Sequence, residues 1–372
     1  MNTTITHTIT IEYEQDQHLR GEHMNTIERR KLGRSGLTVP AMGVGTWSWG
    51  DTRWWNYGQS HTQQDIVQAY RTSLDAGFTF FDTAEIYGDG ASEHLLGERY
   101  REDGRPITIA SKFAPPLTRF SRVARQRSSA RSLLQALDQS LERLGVPCID
   151  LYQIHTLSPV LKVDDLMDVL AEAVQAGKVR AVGVSNYNAA QMRQAHARLA
   201  RYGIPLASNQ VRYSILHRYP ETNGVLDACR ELGVALIAYS PLEQGILTGK
   251  YRNPDISMPT NTRRMLSLFL RLDMTGDTKG ALPAWQRLFS TPRVMQREKI
   301  EPLFVVLEEI AHAHEKTIAQ VALNWLLSKD ECIIPLAGAK NARQVHENAG
   351  ALGWRLTSEE HARISQAEIA TR

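Results

Sequence analysis

The chain has 372 residues, 42% of them apolar and 22% charged, and its 43 Lys and Arg nearly balance 40 Asp and Glu, leaving a formal charge of +3. That apolar share supports a buried core and excludes the signature of a disordered chain, and near neutrality gives no case for a general nucleic-acid binder. Cys148, Cys229 and Cys332 lie far apart and form no CxxC pair, so neither a disulfide framework nor a zinc knuckle is supported; no metal is expected, and the compartment reads as reducing and cytoplasmic.

Residues 1–27 are polar and carry no signal-peptide stretch, and no later run reaches the roughly twenty apolar residues of a membrane span. They read as a flexible extension, with Met24 as a second candidate start. From residue 28 the chain reads as a single unit. Glu28–Lys31 and Leu37–Pro40 flank a Ser35-Gly36 turn and predict a small hairpin. Strand-like runs follow at Ala41–Thr46, Phe78–Ala84, Ile107–Phe113, Ile149–His155, Val179–Ser185, Leu206–Val211, Val234–Tyr239 and Cys332–Leu336. Most are apolar on both faces, as in a covered parallel sheet.

Helical spacing separates them, at Thr62–Ala76, Ala91–Arg101, Ser128–Leu144, Asp164–Ala176, Ala189–Arg201, Tyr219–Leu232, Ile300–Ser328 and Ala342–Leu352. In the third, Leu133, Leu134, Leu137, Leu141 and Leu144 make one stripe. Glycines such as Gly145 and Gly233 fall where C-caps want them. Eight alternations predict an α/β fold closed as a (β/α)8 TIM barrel over 28–372. An open, doubly wound sheet binding a dinucleotide would show Gly-x-Gly-x-x-Gly after its first strand. The segment Gly43-Val-Gly45-Thr-Trp-Ser-Trp-Gly50 has the wrong spacing.

Catalytic groups in such barrels sit at the C-terminal ends of strands. Those ends offer Asp82 with Tyr87 beyond it, Lys112, His155, Ser185-Asn186, Asn209-Gln210 and Tyr239-Ser240-Pro241. The segments GFTFFDTAEIYGDGASEHLLG (77–97), IASK (109–112), DLYQIH (150–155), VGVSN (182–186), NQ (209–210) and AYSPLEQGILTGKY (238–251) resemble the aldo-keto reductases, in the right order and spacing from about residue 30 to 352. WSWGDTRWWNYG resembles the plant and cyanobacterial branch, some of whose members act on pyridoxal.

The resemblance implies NADPH-dependent reduction of an aldehyde or ketone, with the catalytic set Asp82, Tyr87, Lys112 and His155 unsubstituted. Chemistry asks for these types. A carbonyl needs a hydride donor at carbon and a proton donor at oxygen. Tyrosine at pKa near 10 is a poor acid–base group at neutral pH, and the Lys112 ammonium is expected to bring Tyr87 down toward the working range. Asp82 would hold Lys112 charged, and neutral His155 would orient the substrate oxygen.

The resemblance also assigns the cofactor site. Ser185, Asn186 and Gln210 would hold the nicotinamide carboxamide, and Tyr239 would stack on its ring. Gly45, Thr46, Trp47 and Asp82 line that end. Ser240, Pro241, Leu242, Gln244 and Lys250 would wrap the pyrophosphate; Gly338, Lys340, Gln344, Glu347 and Asn348 would hold the adenosine end. Gln344 stands where many members place an Arg for the 2′-phosphate, as in a recognised subset, and Lys340 can meet that phosphate, so NADPH is favoured over NADH.

Trp47, Trp49, Trp54 and Trp55 crowd the first βα loop and predict an aromatic substrate wall, with Trp47, Trp54, Trp55, Tyr87 and His155 as the pocket. After His155 the family often has Trp or a proline-containing turn; here Thr156-Leu157 stands there. Partners are a small carbonyl compound, aromatic or anionic, with no nucleic acid or membrane, and a monomeric or weakly homo-oligomeric state. Two alternatives remain: a cofactor-holding sensor, as in the potassium-channel β subunits, and an aldolase using Lys112 as a Schiff-base amine.

An insertion at about 252–299, with a helix expected over 262–272, should cover the cofactor. It and residues 117–131 each carry a local excess of five positive charges, which exceeds the whole-chain +3. Both are expected at the catalytic mouth, where the field would attract anions.

Overall fold

The computed structural model describes residues 27–116, 129–158, 160–253, 255–256 and 297–370. Strands β1 (Arg29–Lys31) and β2 (Thr38–Pro40) form an antiparallel hairpin. The barrel follows: β3 (Gly43–Gly45), β4 (Phe80–Asp82), β5 (Thr108–Phe113), β6 (Ile149–Ile154), β7 (Val179–Ser185), β8 (Leu206–Arg212), β9 (Ala235–Tyr239) and β10 (Ile333–Gly338). All eight run parallel and close as β10-β3-β4-β5-β6-β7-β8-β9, the expected TIM barrel.

Side-chain alternation sorts the strands into an inside and an outside. Phe80, Ala110, Leu151, Ala181, Ala207, Ala235, Ile237, Ile334 and Leu336 fill the lower interior, and Leu32 and Val39 of the hairpin join them as its floor. Gly33 makes that closure possible. Its φ is +56°, and a Cβ there would stand 2.4 Å from the carbonyl oxygen of Ala207. Arg30 straps the hairpin to the barrel by donating to the carbonyls of Leu327, Asp330 and Ile333.

The helical layer packs outside, where the second core cluster lies. In Ser132–Leu144 the leucine stripe buries Leu133, Leu137 and Leu144, with Leu134 and Leu141 packed beside them, and Gly145 closes the helix at φ +68°. Two expected helices are each broken in two. Gly224 at φ +81° separates Tyr219–Thr222 from Val225–Leu232. Thr317 starts a new helix, Ile318–Lys329, after Arg297–Ala313: its hydroxyl accepts from the Gln320 amide while Gln320 Oε1 accepts from its own. A last helix, Ser358–Ala370, was not expected. Its signal is Thr357-x-x-Glu360, whose side chains and amides pair reciprocally. The helix expected over 262–272 and most of both basic segments lie outside the described residues. No helix among the described residues is long and apolar enough to cross a membrane.

Glu221 ties these C-terminal helices to β8. Its carboxylate accepts from Tyr213, Arg218 and Lys329, and Arg218 also pairs with Glu368 of the last helix. Burial opposes its ionisation, but Arg218 and Lys329 overcome this and bring its pKa from 4.5 down to about 2. A depressed carboxylate adds stability above its unfolded pKa, and loses it as pH falls through the folded one. Glu221→Gln should therefore cost about 2–3 kcal/mol at pH 7. Denaturant midpoints measured across pH should fall less steeply for the variant between about pH 4.5 and pH 2.

Candidate active site

Above the apolar floor the inward residues turn polar. Asp82 ends β4, Lys112 lies in β5, Gln153 in β6, and Ser208 and Gln210 in β8, all buried. Lys112 is completely enclosed. Its ammonium donates to Asp82 Oδ1 at 2.5 Å, to the Thr83 carbonyl at 2.8 Å and to the Tyr87 hydroxyl at 3.3 Å, with the nitrogen 4.9 Å from the Tyr87 ring centre. Asp82 Oδ2 accepts from Gln210 Nε2 at 2.8 Å and from Gln153 Nε2 at 3.4 Å. The Asp82 carboxylate thus accepts from three donors.

Tyr87 sits in a turn after β4. Trp47 stacks on it at 5.7 Å, and His155, just past β6, meets its ring edge-on at 5.7 Å. Burial pushes the Tyr87 phenol well above its ordinary value, and the Asp82 charge adds to this. The expected lowering by Lys112 is therefore not what is found: burial and the Asp82 charge set the direction, and burial also lowers the pKa of Lys112 itself. The phenol is held protonated. Burial and then the Lys112 charge push His155 well below 6.5, so its ring is neutral, and among the described residues its Nδ1 has no hydrogen-bond partner.

A second group gathers around β7, β8 and β9. Asn186, at φ +60°, donates to the His155 carbonyl and to Ser185 Oγ, and accepts from Tyr239 at 3.0 Å. Ser185 donates to the Gln210 carbonyl. Asn209, expected among the polar strand-end residues but given no cofactor contact, exchanges hydrogen bonds with the backbone of Tyr187 and so fixes this turn. Beyond Tyr239, Gln244 donates to Ser240 Oγ at 2.9 Å, and Pro241 and Leu242 lie between them.

The third group surrounds the start of the helix Ala342–Ala349. Asn341 caps it, Gln344 Oε1 accepts from the Lys340 amide at 2.8 Å, and Asn348 donates to the Gly338 carbonyl. Glu347 pairs with Arg343 at 3.6 Å. The Lys340 ammonium lies 4.6 Å from the Trp55 ring centre. Burial and then the Lys250 charge lower it to about 8. No carboxylate among the described residues pairs with Lys340 or Lys250 through its ammonium. Two cations left together in this way suit an anionic ligand.

Not every aromatic of the first loop lines the mouth. Trp55 meets Trp47 edge-on at 5.7 Å, and Trp47 reaches Tyr87. Trp49 instead turns into the core, fully buried, and donates to the Ala339 carbonyl, so it plugs the wall from behind. Trp54 lies against Arg53. Thr46 Oγ1 is likewise committed, donating to the Asp82 carbonyl and lying 2.8 Å from Ser92 Oγ. Gly45 ends β3, and a Cβ there would meet nothing within 4 Å. Gln153 and Ser208 escaped the sequence reading, although Gln153 interrupts an apolar strand two residues before His155, on the same face.

A sequence model of the Aldo/keto reductase family matches residues 41–369, and the chain belongs to that family. It is an oxidoreductase of the aldo-keto reductase type, supporting carbonyl reduction. The chain is 34% identical to the chloroplastic pyridoxal reductase of Arabidopsis thaliana over 91% of its own length and 86% of the relative's, in keeping with the branch resemblance. It is 31% identical to the L-glyceraldehyde 3-phosphate reductase of Escherichia coli K12, covering 93% of each chain. The NADP(+) aldo-keto reductase yakc of Schizosaccharomyces pombe is 32% identical over 92% of each. Among solved structures, the glycerol dehydrogenase of Gluconobacter oxydans superposes with a TM-score of 0.70 at 26% identity, over 91% of this chain and 94% of that one.

Proposed function

We propose that this chain reduces a small aldehyde or ketone with NADPH, with Tyr87 giving the proton to the carbonyl oxygen. One observation carries the reading: the Tyr87 hydroxyl stands 3.3 Å from an enclosed Lys112 ammonium that Asp82 holds at 2.5 Å. Tyr87 stays protonated until a developing alkoxide takes its hydrogen. The adjacent, fully enclosed ammonium then stabilises the phenolate. Neutral His155 directs the substrate oxygen toward Tyr87. Asp82, held by Gln153 and Gln210, fixes the position and charge of Lys112.

NADPH, when bound, supplies the hydride to the carbonyl carbon. Its nicotinamide would rest on Ser185, Asn186, Gln210 and Tyr239, near Gly45, Thr46 and Trp47. Its phosphates would meet residues 240–250, and its adenosine end Gly338, Lys340, Gln344, Glu347 and Asn348. Lys340 and Lys250, which no carboxylate among the described residues pairs, fit that polyanion. Trp47 and Trp55 would form the substrate wall, flanked by Trp54, favouring an aromatic or anionic carbonyl compound. The test is a panel of aldehydes, including pyridoxal, nitrobenzaldehyde and sugar aldehydes, followed by NADPH absorbance. Tight NADPH binding with no turnover of any of them would sink the reductase reading in favour of a sensor.

Lys340 gives a prediction of its own. Its ammonium persists only below its pKa of about 8, so NADPH affinity should be full at pH 7 and fall as pH rises through 8 to 9. Lys340→Ala should weaken NADPH binding by about tenfold at pH 7, in line with a lost charged hydrogen bond, and flatten that pH dependence. NADH affinity should change less than about threefold, corresponding to well under one charged contact. Fluorescence titration of the cofactor reads all three.

A further inference from the structure

The segment after β9 departs from ordinary backbone geometry. Ser240, Glu243 and Gln244 are non-glycine residues in the left-handed region, at φ +54°, +47° and +56°, followed by Gly245 at +89°. L-residues occupy this region at a cost, and such a run persists only where its surroundings impose it. An ion pair reaches this segment from the end of the neighbouring strand β8. Arg212, the last residue of β8, registers opposite Tyr239, the last of β9. Its Nη2 pairs with Glu243 Oε2, its Nε donates to Glu243 Oε1 at 3.2 Å, and Ser214 Oγ donates to the same oxygen at 2.7 Å. Arg212 is 7% exposed and Glu243 1%. Glu243 is not needed for the local turn, which its own backbone closes: its amide donates to the Ser240 carbonyl and Gly245 donates to Leu242. A glycine at 243 would relieve the backbone. The chain keeps a glutamate there, with its carboxylate turned inward.

We infer that Arg212, with Ser214, is a positioning residue that presets the 240–249 segment for the cofactor through Glu243. The pair is assigned to binding and not to the proton transfer, because its described hydrogen bonds join Arg212, Ser214 and Glu243 to one another and tie β8 to the 240–249 segment. Its worth lies in preorganisation. A segment already held in the receiving conformation loses little freedom when its ligand arrives, whereas a loosened one must be ordered at the expense of affinity. This rests on the cofactor assignment above, so one arm of the test must not need the cofactor.

That arm is hydrogen exchange of the 240–249 amides in the cofactor-free protein, set beside NADPH affinity by fluorescence titration and the kinetic constants. Arg212→Gln is expected to speed exchange in this segment at least tenfold and raise the NADPH Kd at least tenfold, with kcat at saturating NADPH within threefold of the parent. Glu243→Gly separates clamp from strain: it should loosen the segment and weaken binding even though it relieves the backbone. Arg212→Gln combined with Glu243→Gln restores a neutral amide pair and should bring the Kd back to within threefold. If Arg212→Gln fails to fold, Ser214→Ala removes one donor only and should move exchange and Kd the same way by about threefold, since it deletes one of three hydrogen bonds.

Unchanged exchange in Arg212→Gln overturns the clamp. Faster exchange with an unchanged Kd overturns the presetting role, as does a tighter Kd in Glu243→Gly. A double variant no better than the single one overturns the pairing. Parent protein that binds no NADPH would fault the proposed function instead, while the exchange arm still judges the clamp.

Discussion

Tyr87→Phe is expected to lower kcat for carbonyl reduction by about a thousandfold, within the range found for removal of a positioned general acid. NADPH affinity should stay within about twofold, because the hydroxyl accepts a bond from Lys112 and is not part of the proposed cofactor contacts. The fold should survive. Lys112 keeps Asp82 and the Thr83 carbonyl, and the Phe ring retains the stacking on Trp47. The parent protein should show a direction-dependent pH profile. A phenol held well above 10 stays protonated across this range, so reduction should stay flat from about pH 6 to 9 as far as Tyr87 sets it. Alcohol oxidation needs the phenolate and should climb with pH over the same range. Wild-type rates in the Phe variant would reassign the proton donor, and an oxidation rate independent of pH would contradict the sign of the shift.

The positions of these groups were legible because a barrel strand has two faces and one useful end. Asp82, Lys112 and His155 fall at the ends of apolar runs, and alternation carries them to the interior. Energetics were less legible than positions. Whether Lys112 or burial governs Tyr87 depends on how much water reaches the phenol, which residue types do not reveal. The four tryptophans of the first loop look alike in sequence, yet Trp49 faces the core and Trp47 the mouth. Arg212 and Glu243 are 31 residues apart and join only because β8 and β9 are neighbours. The two helix starts at Thr317 and Thr357 carried readable capping signals that continuous apolar spacing and a polar tail concealed. The predicted basic field over the mouth rests largely on residues 117–128 and 257–296, outside the described residues.

Asp82→Asn is expected to be as damaging as loss of Tyr87 but in two separable ways. The carboxylate accepts from Lys112, Gln153 and Gln210 together, and an amide at that position would turn an NH2 toward at least one of those donors. Lys112 would also be left as an enclosed cation without its counter-charge. Breaking a buried pair from one side costs about 3–5 kcal/mol, or the lysine sheds its proton. Burial already lowers the Lys112 pKa against the pull of Asp82, and removing that pull lowers it further. Either way the developing phenolate of Tyr87 loses its nearest positive charge, and kcat should fall by about 100- to 1,000-fold, the scale of one electrostatic contact in a dry site. Lys112→Met should match it in rate and costs less stability, since the Asp82 carboxylate it strands still accepts from Gln153 and Gln210 and an apolar chain fills the enclosed space. The double variant then separates the two effects. Asp82→Asn with Lys112→Met removes the stranded cation, so its melting temperature should lie above that of Asp82→Asn alone, while its kcat stays at the level of the single variants. A non-additive rate with partly recovered stability would mark the pair as a single electrostatic unit acting on Tyr87. Full additivity in kcat would mean that Asp82 acts on the reaction by a route other than Lys112.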